Sequence, residues 1–177
     1  MIISKTPFRI SFAGGGSDHF NSKSKISGRV ISTTINKFMY ASVNKKHNDK
    51  VRISYSQTEN VDHVNQIQHL IIRNTLKYFK ITKQIEVVTI ADIPSSGSGL
   101  GSSSALTVGL TNALYNYKHK SISKKKLSEC ASNIEINICK KPIGMQDHYS
   151  AAYGRFNCIL FKKNKTVTVR KIKISQS

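Results

Sequence analysis

A short apolar strand, a glycine-rich turn and a helix follow one another through residues 85–117, and this succession constrains the fold more than any other feature of the chain. The turn, Pro94-Ser-Ser-Gly-Ser-Gly-Leu-Gly-Ser-Ser-Ser-Ala-Leu106, carries Gly97, Gly99 and Gly101, which let the backbone bend sharply and come close to whatever it encloses. Leu106, Leu110, Ala113, Leu114 and Tyr117 then recur at helical spacing, so Ser102, Ser103 and Ser104 fall near a helix N-terminus. Unpaired amides and the positive end of the helix dipole make such a place a seat for phosphate. A plain Gly/Ser linker is the alternative, but linkers seldom join an apolar strand to an amphipathic helix. The turn is not a Walker A sequence, because no lysine stands between Pro94 and Tyr117. Phosphate charge must then be offset by amides, a metal ion or residues from elsewhere.

A chain of 177 residues fits one domain and is long enough to bury a core. Its apolar content of 38% suits a folded protein, and no apolar run reaches the length of a membrane span. The first twelve residues lack the pattern of a signal peptide. Cys130, Cys139 and Cys158 are widely spaced, which reads as reduced thiols of a cytoplasmic protein rather than a disulfide frame or zinc site. The balance of 28 Lys and Arg against 9 Asp and Glu, a net +19, favours acidic partners: nucleic acid or phosphorylated small molecules. Biased composition is the simpler explanation, since the lysines are scattered and no aromatic-and-basic stripe of the kind that stacks bases is evident. Nucleic acid is therefore not the expected partner.

The periodicities predict strands over residues 2–12 (broken by Pro7), 30–43, 51–55 and 85–90, and a closing hairpin of 156–161 with 166–174. In the last strand Val167 and Val169 change phase to Ile172 and Ile174, which predicts a bulge. Helices are predicted over residues 62–79, after the glycine turn, and from a Ser123 cap through Leu127, Ala131, Ile134 and Ile138. Strands lead and helices follow, so the expected class is an α+β layered domain.

With so few acids, each placement counts. Asp147 lies in Gly144-Met-Gln-Asp147, a segment that reads as a loop, and Glu135 lies within an apolar helix. One carboxylate could bind a metal and the other act as a base. Spacing alone leaves equal room for a surface Glu and a turn Asp that caps a helix over 148–153. Arg9 alternates with apolar residues, and Asp18 follows Gly14, Gly15 and Gly16. A buried strand arginine usually has a carboxylate or phosphate partner, whereas an edge-strand arginine faces water.

Together these segments resemble the superfamily of galactokinase, homoserine kinase, mevalonate kinase and phosphomevalonate kinase (GHMP kinases). Gly99-Leu-Gly-Ser-Ser-Ser-Ala105 is similar to its ATP-binding motif. Thr6-Pro-Phe-Arg-Ile-Ser-Phe-Ala-Gly-Gly-Gly-Ser-Asp18 is similar to its N-terminal substrate motif, and Gly144-Met-Gln-Asp147 to the segment bearing its catalytic aspartate. Ser32-Thr-Thr-Ile-Asn-Lys37, Glu59-Asn-Val61 and Ala151-Ala-Tyr-Gly154 resemble the heptose 7-phosphate kinase branch. The likeness runs over nearly the whole chain. Three departures stand out: one extra residue between Pro94 and Gly99, a set of unusual residues at His19, Met145, His148 and Arg155, and length.

The resemblance implies a two-layer sandwich of the GHMP kinase N-terminal domain, a fold shared with some ribosomal domains. It implies phosphoryl transfer from ATP, with Mg²⁺, to the anomeric hydroxyl of D-glycero-D-manno-heptose 7-phosphate or a related sugar phosphate. Asp147 would be the base and Arg9 its partner. Ser103 and Glu135 would hold Mg²⁺. Gly97, Ser98, Gly99, Leu100, Gly101, Ser102, Ser103 and Ser104 would cradle ATP phosphates. Gly15, Gly16, Asp18 and Gly144 would line the sugar site. Family chains are roughly twice this length, so residues 1–177 are expected to be the N-terminal ATP-binding domain without its C-terminal domain. A gene fragment and one piece of a split enzyme are both expected forms, with a separate C-terminal half or a second copy as partner. A basic RNA-binding module and a catalytically inactive remnant are the rival readings.

Overall fold

The computed structural model describes residues 1–18, 27–94, 98–164 and 166–173. Gly97, His19 and Ile174 lie outside the described residues.

Strand β2, Gly28–Lys45, organises the sheet. Its β-branched and aromatic residues favour extended backbone, and its alternation sends Met39, Ala41 and Val43 into the core. It pairs antiparallel with β1 (Ile2–Ala13) along most of its length, with β6 (Phe156–Phe161) near its start and with β5 (Ile85–Ala91) near its end. Beyond β5 lie β3 (Val51–Ser54), parallel to it, and then β4 (Thr58–Val61), while β7 (Val167–Lys171) flanks β6.

Helix α2, Ser102–Tyr117, lies against β1 and β2 and is buried nearly all round, because α1 (Leu70–Tyr78), α3 (Lys124–Ser132) and α4 (Gln146–Tyr153) surround its other flanks. The main core joins α1 and α2 to β2, β3 and β5, and a smaller one seats Tyr149 of α4 on Val30, Ile159 and Phe161. Ile3, Phe12 and Ile90 remain exposed on the strands. Among the described residues no helix is long and apolar enough to cross a membrane.

The α+β architecture agrees with the sequence reading, and several local expectations change. β1 runs unbroken through Pro7, which sits at a register shift where a missing N–H is tolerated. The helix expected over 62–79 divides into a single 3₁₀ turn, Val64–Gln66, and α1. Glu59 causes the division by accepting the N–H groups of Gln68 (2.6 Å) and His69 (3.2 Å), after which His69 caps α1 through Nδ1. Its strand, β4, is absent from the expected set. The Ser123 cap forms as expected, its hydroxyl accepting from the Lys126 N–H at 3.3 Å. Among the described residues the last strand shows no bulge: β7 pairs in unbroken register over Val167–Lys171, and Ile174, the far end of the expected phase change, lies outside them.

Candidate active site

Arg9 ties three segments together. Its backbone N–H donates to Leu100 O (3.2 Å) and its Nη1 to Gly99 O (2.6 Å), so β1 fixes the glycine turn twice over. Its Nε and Nη2 both reach Asp147 Oδ1 at 2.7 Å. The Arg9 side chain is 11% exposed and that of Asp147 21%, so the pair is largely but not wholly buried. Asp147 stands in the first turn of α4, not in a loop, where the helix dipole favours a negative charge. Its Oδ2 faces Gly101: a Cβ there would come within 3.1 Å of it, and the φ of +75° is itself one that side chains resist. Gly101 caps α2 in this left-handed conformation.

Glu135 forms a second centre, one that owes its placement to an irregular helix. After α3 the chain widens into a π-helical segment, Asn133–Ile138, with Cys139 N–H donating to Ile134 O (2.8 Å) and Lys141 N–H returning to Glu135 O (3.2 Å). Such bulges re-aim side chains and are common at functional sites. Glu135 is fully buried at 0% exposure. Its Oε2 accepts from Thr107 Oγ1 (3.0 Å) and contacts His148 Nε2 (2.9 Å), while Oε1 pairs with Lys141 Nζ (3.1 Å). Burial pushes this carboxyl up, but hydrogen bonding and charge at His148, a hydrogen bond from Ser103 and the charge of Lys141 outweigh it and hold the pKa down at about 2. Ser103 thus lies close enough to influence Glu135, and the two oxygens are of the kind that suits a hard cation such as Mg²⁺, which takes its remaining ligands from water and phosphate. Among the described residues no group of three or more His, Cys, Asp or Glu converges as a metal cage.

Beside the start of α2 lies a cleft of about 620 Å³. Met39, Leu70, Ile71, Ile93 and Leu106 give it an apolar lining, and Ser102, Ser103 and Lys141 supply polar groups. Tyr55 and His69 flank it with rings 4.8 Å apart, and Tyr55 is braced by Glu59 through its hydroxyl (3.1 Å). A mostly apolar cleft with a few convergent polar groups suits a small-molecule ligand.

The remaining expected residues separate. Ser98, Gly99 and Leu100 lie in the turn, while Ser104 points its side chain into the interior at 1% exposure. Gly15 and Gly16 are exposed with open space where a Cβ would stand. Asp18 is 1% exposed: its Oδ2 accepts the Gln146 N–H (2.9 Å) at the start of α4, and its Oδ1 is buried with no partner among the described residues. Only glycine fits at Gly144, where a Cβ would fall 1.9 Å from Asp18 Oδ2. Lys141, Thr107, His69 and Tyr55 were not expected. Thr107 had a signal, one helical turn beyond Ser103 on the same face. Lys141 had none, because a π turn is invisible to helical periodicity.

Residues 65–155, about half of the chain, match the family described as GHMP kinases N terminal domain. The chain belongs to that family. It is 30% identical, over 186 residues, to a D-glycero-alpha-D-manno-heptose 7-phosphate kinase of Campylobacter jejuni, covering 98% of this chain and 54% of that protein. A solved D-glycero-D-manno-heptose 1-phosphate kinase from Bacteroides thetaiotaomicron superposes with a TM-score of 0.88 at 26% identity, over 99% of this chain and 61% of that one. Galactokinase from Lactococcus lactis, in a complex with galactose, shares the fold at a TM-score of 0.76 and 17% identity, over 98% of this chain and 48% of that one. The chain therefore spans about half the length of the relatives it matches.

Proposed function

We propose that residues 1–177 are the nucleotide-binding lobe of a sugar kinase that moves the γ-phosphoryl group of ATP to the anomeric hydroxyl of D-glycero-D-manno-heptose 7-phosphate or a related sugar phosphate. The observation that carries this reading is the Arg9–Asp147 pair bonded directly to the glycine turn, which sets a carboxylate beside the expected phosphate seat. In this reading Asp147 accepts the proton of the attacking hydroxyl, and Arg9 holds it in line and offsets charge that develops during transfer. The amides of the turn and of the α2 N-terminus hold the phosphates, and the apolar cleft takes the base. Mg²⁺, bound through Ser103 and Glu135, would neutralise phosphate charge. Asp18 and Gly144 shape the sugar side by fixing the start of α4. A second lobe, corresponding to the rest of the relatives' length, completes the enzyme in the same chain or as a partner. The three free cysteines suit a cytoplasmic setting.

Calorimetric titration of the 177-residue chain tests the nucleotide half of this reading. Uptake of Mg·ATP that weakens in Ser103→Ala is expected. Indifference to nucleotide, with RNA binding that falls steeply with salt, would overturn it. Adding a separately produced second lobe is expected to yield ATP consumption on heptose 7-phosphate.

A further inference from the structure

The Glu135 carboxylate has two unequal edges. Its Oε2 is locked by Thr107 and His148, the latter itself fully buried. Its Oε1 faces Lys141, whose side chain is 32% exposed and lines the same cleft as Ser102 and Ser103. The glycine turn has no lysine of its own. Arg9, which does touch the turn, is committed through Nε, Nη1 and Nη2 to Asp147 and Gly99. Among the described residues that line the cleft, Lys141 is thus the lysine or arginine with one side still open to it.

We infer that Lys141 is an exchangeable cation of the phosphate site: it neutralises Glu135 while no divalent ion is bound there, and turns to the nucleotide's phosphates when one arrives. The inference rests on the nucleotide reading above. Two cations cannot share the Oε1 edge, because like charges at that separation in a partly buried place repel strongly. An ion that takes Oε1 together with Ser103 therefore displaces the ammonium. A flexible four-carbon stem lets the ammonium swing, and the nearest concentrated negative charge is then the polyphosphate on the α2 N-terminus. Lys141 supplies the charge that a Walker lysine supplies elsewhere, from a different part of the chain.

The test is ATP affinity with and without Mg²⁺, measured by calorimetry on the 177-residue chain. A wild-type chain that binds neither form would sink the nucleotide reading itself. With wild-type binding established, Lys141→Met is expected to weaken metal-free ATP binding by about tenfold, because Glu135 is then left unneutralised near the phosphates, and to widen the ratio of Mg·ATP to metal-free affinity by a similar factor, because with the ion bound the lost phosphate contact is offset by the removal of a competitor for Glu135. An unchanged ratio means that Lys141 is only a structural counterion, and overturns the inference. Should Lys141→Met fail to fold, Lys141→Gln keeps a donor for Oε1 without the charge, and the same widening or constancy of the ratio decides.

Discussion

Two carboxylate–cation pairs sit on either side of the α2 N-terminus, and they are built to opposite ends. Arg9 spends its planar fork on Asp147 and on the glycine turn, so acid, cation and loop form one rigid unit. Glu135 is more deeply buried than Asp147, yet its cation is a lysine on a flexible stem at the lip of a cleft. The fixed pair suits a group that must meet a reacting hydroxyl in one geometry. The loose pair suits a site that changes ligands in each cycle.

The comparison breaks most visibly at Asp147. In the enzyme completed by its second lobe, Asp147→Asn is expected to cut the turnover rate by about 10²–10⁴-fold while Mg·ATP affinity stays within a few-fold. Equal losses in rate and affinity would make Asp147 a binding residue. Glu135 should reveal itself through acid instead. Its carboxyl falls from the ordinary 4.5 to about 2 on folding, so its contribution to stability is complete above pH 4.5 and drains away as the pH falls toward 2. Denaturant titrations should show Glu135→Gln costing about 3 kcal/mol at pH 7 and much less near pH 2. A parallel loss at all pH values would place the cost in packing. Gly101→Ala strains a left-handed residue against Asp147, and about 1–3 kcal/mol of stability should go with it, as a lowered melting temperature. Thr107→Val removes one of the two contacts on the locked edge of Glu135 and should cost about 1 kcal/mol, with little change in metal-free ATP affinity.

The rigid centre was largely legible in the sequence, and the exchangeable one only in part. Strand, glycine turn and helix announce themselves by apolar spacing and by residues with special backbone freedom, and Arg9 and Asp147 sit inside contiguous motifs. Glu135 was in view as a metal ligand, but its surroundings were not. Lys141 and His148 reach it only because the helix opens into a π turn, a choice made by tertiary packing and not by local propensity. The split of the expected 62–79 helix has a nearer origin: Glu59, in the short strand just before it, takes the amides on which α1 would otherwise have grown backward. His69 gave no warning either, since histidine is not among the usual N-cap residues.

Strand β2 carries a consequence for how the molecule is made. Its ladders to β1, β5 and β6 draw on segments from both ends of the chain, and the last of them closes only with residues 156–161. A nascent chain leaving the ribosome can form the first hairpin early and add β5 midway, but must hold residues 28–33 of that strand unpaired on their other side until residues 156–161 have emerged. The same dependence ties the sheet into one cooperative block, whose central amides should be the last to trade their hydrogens for deuterium.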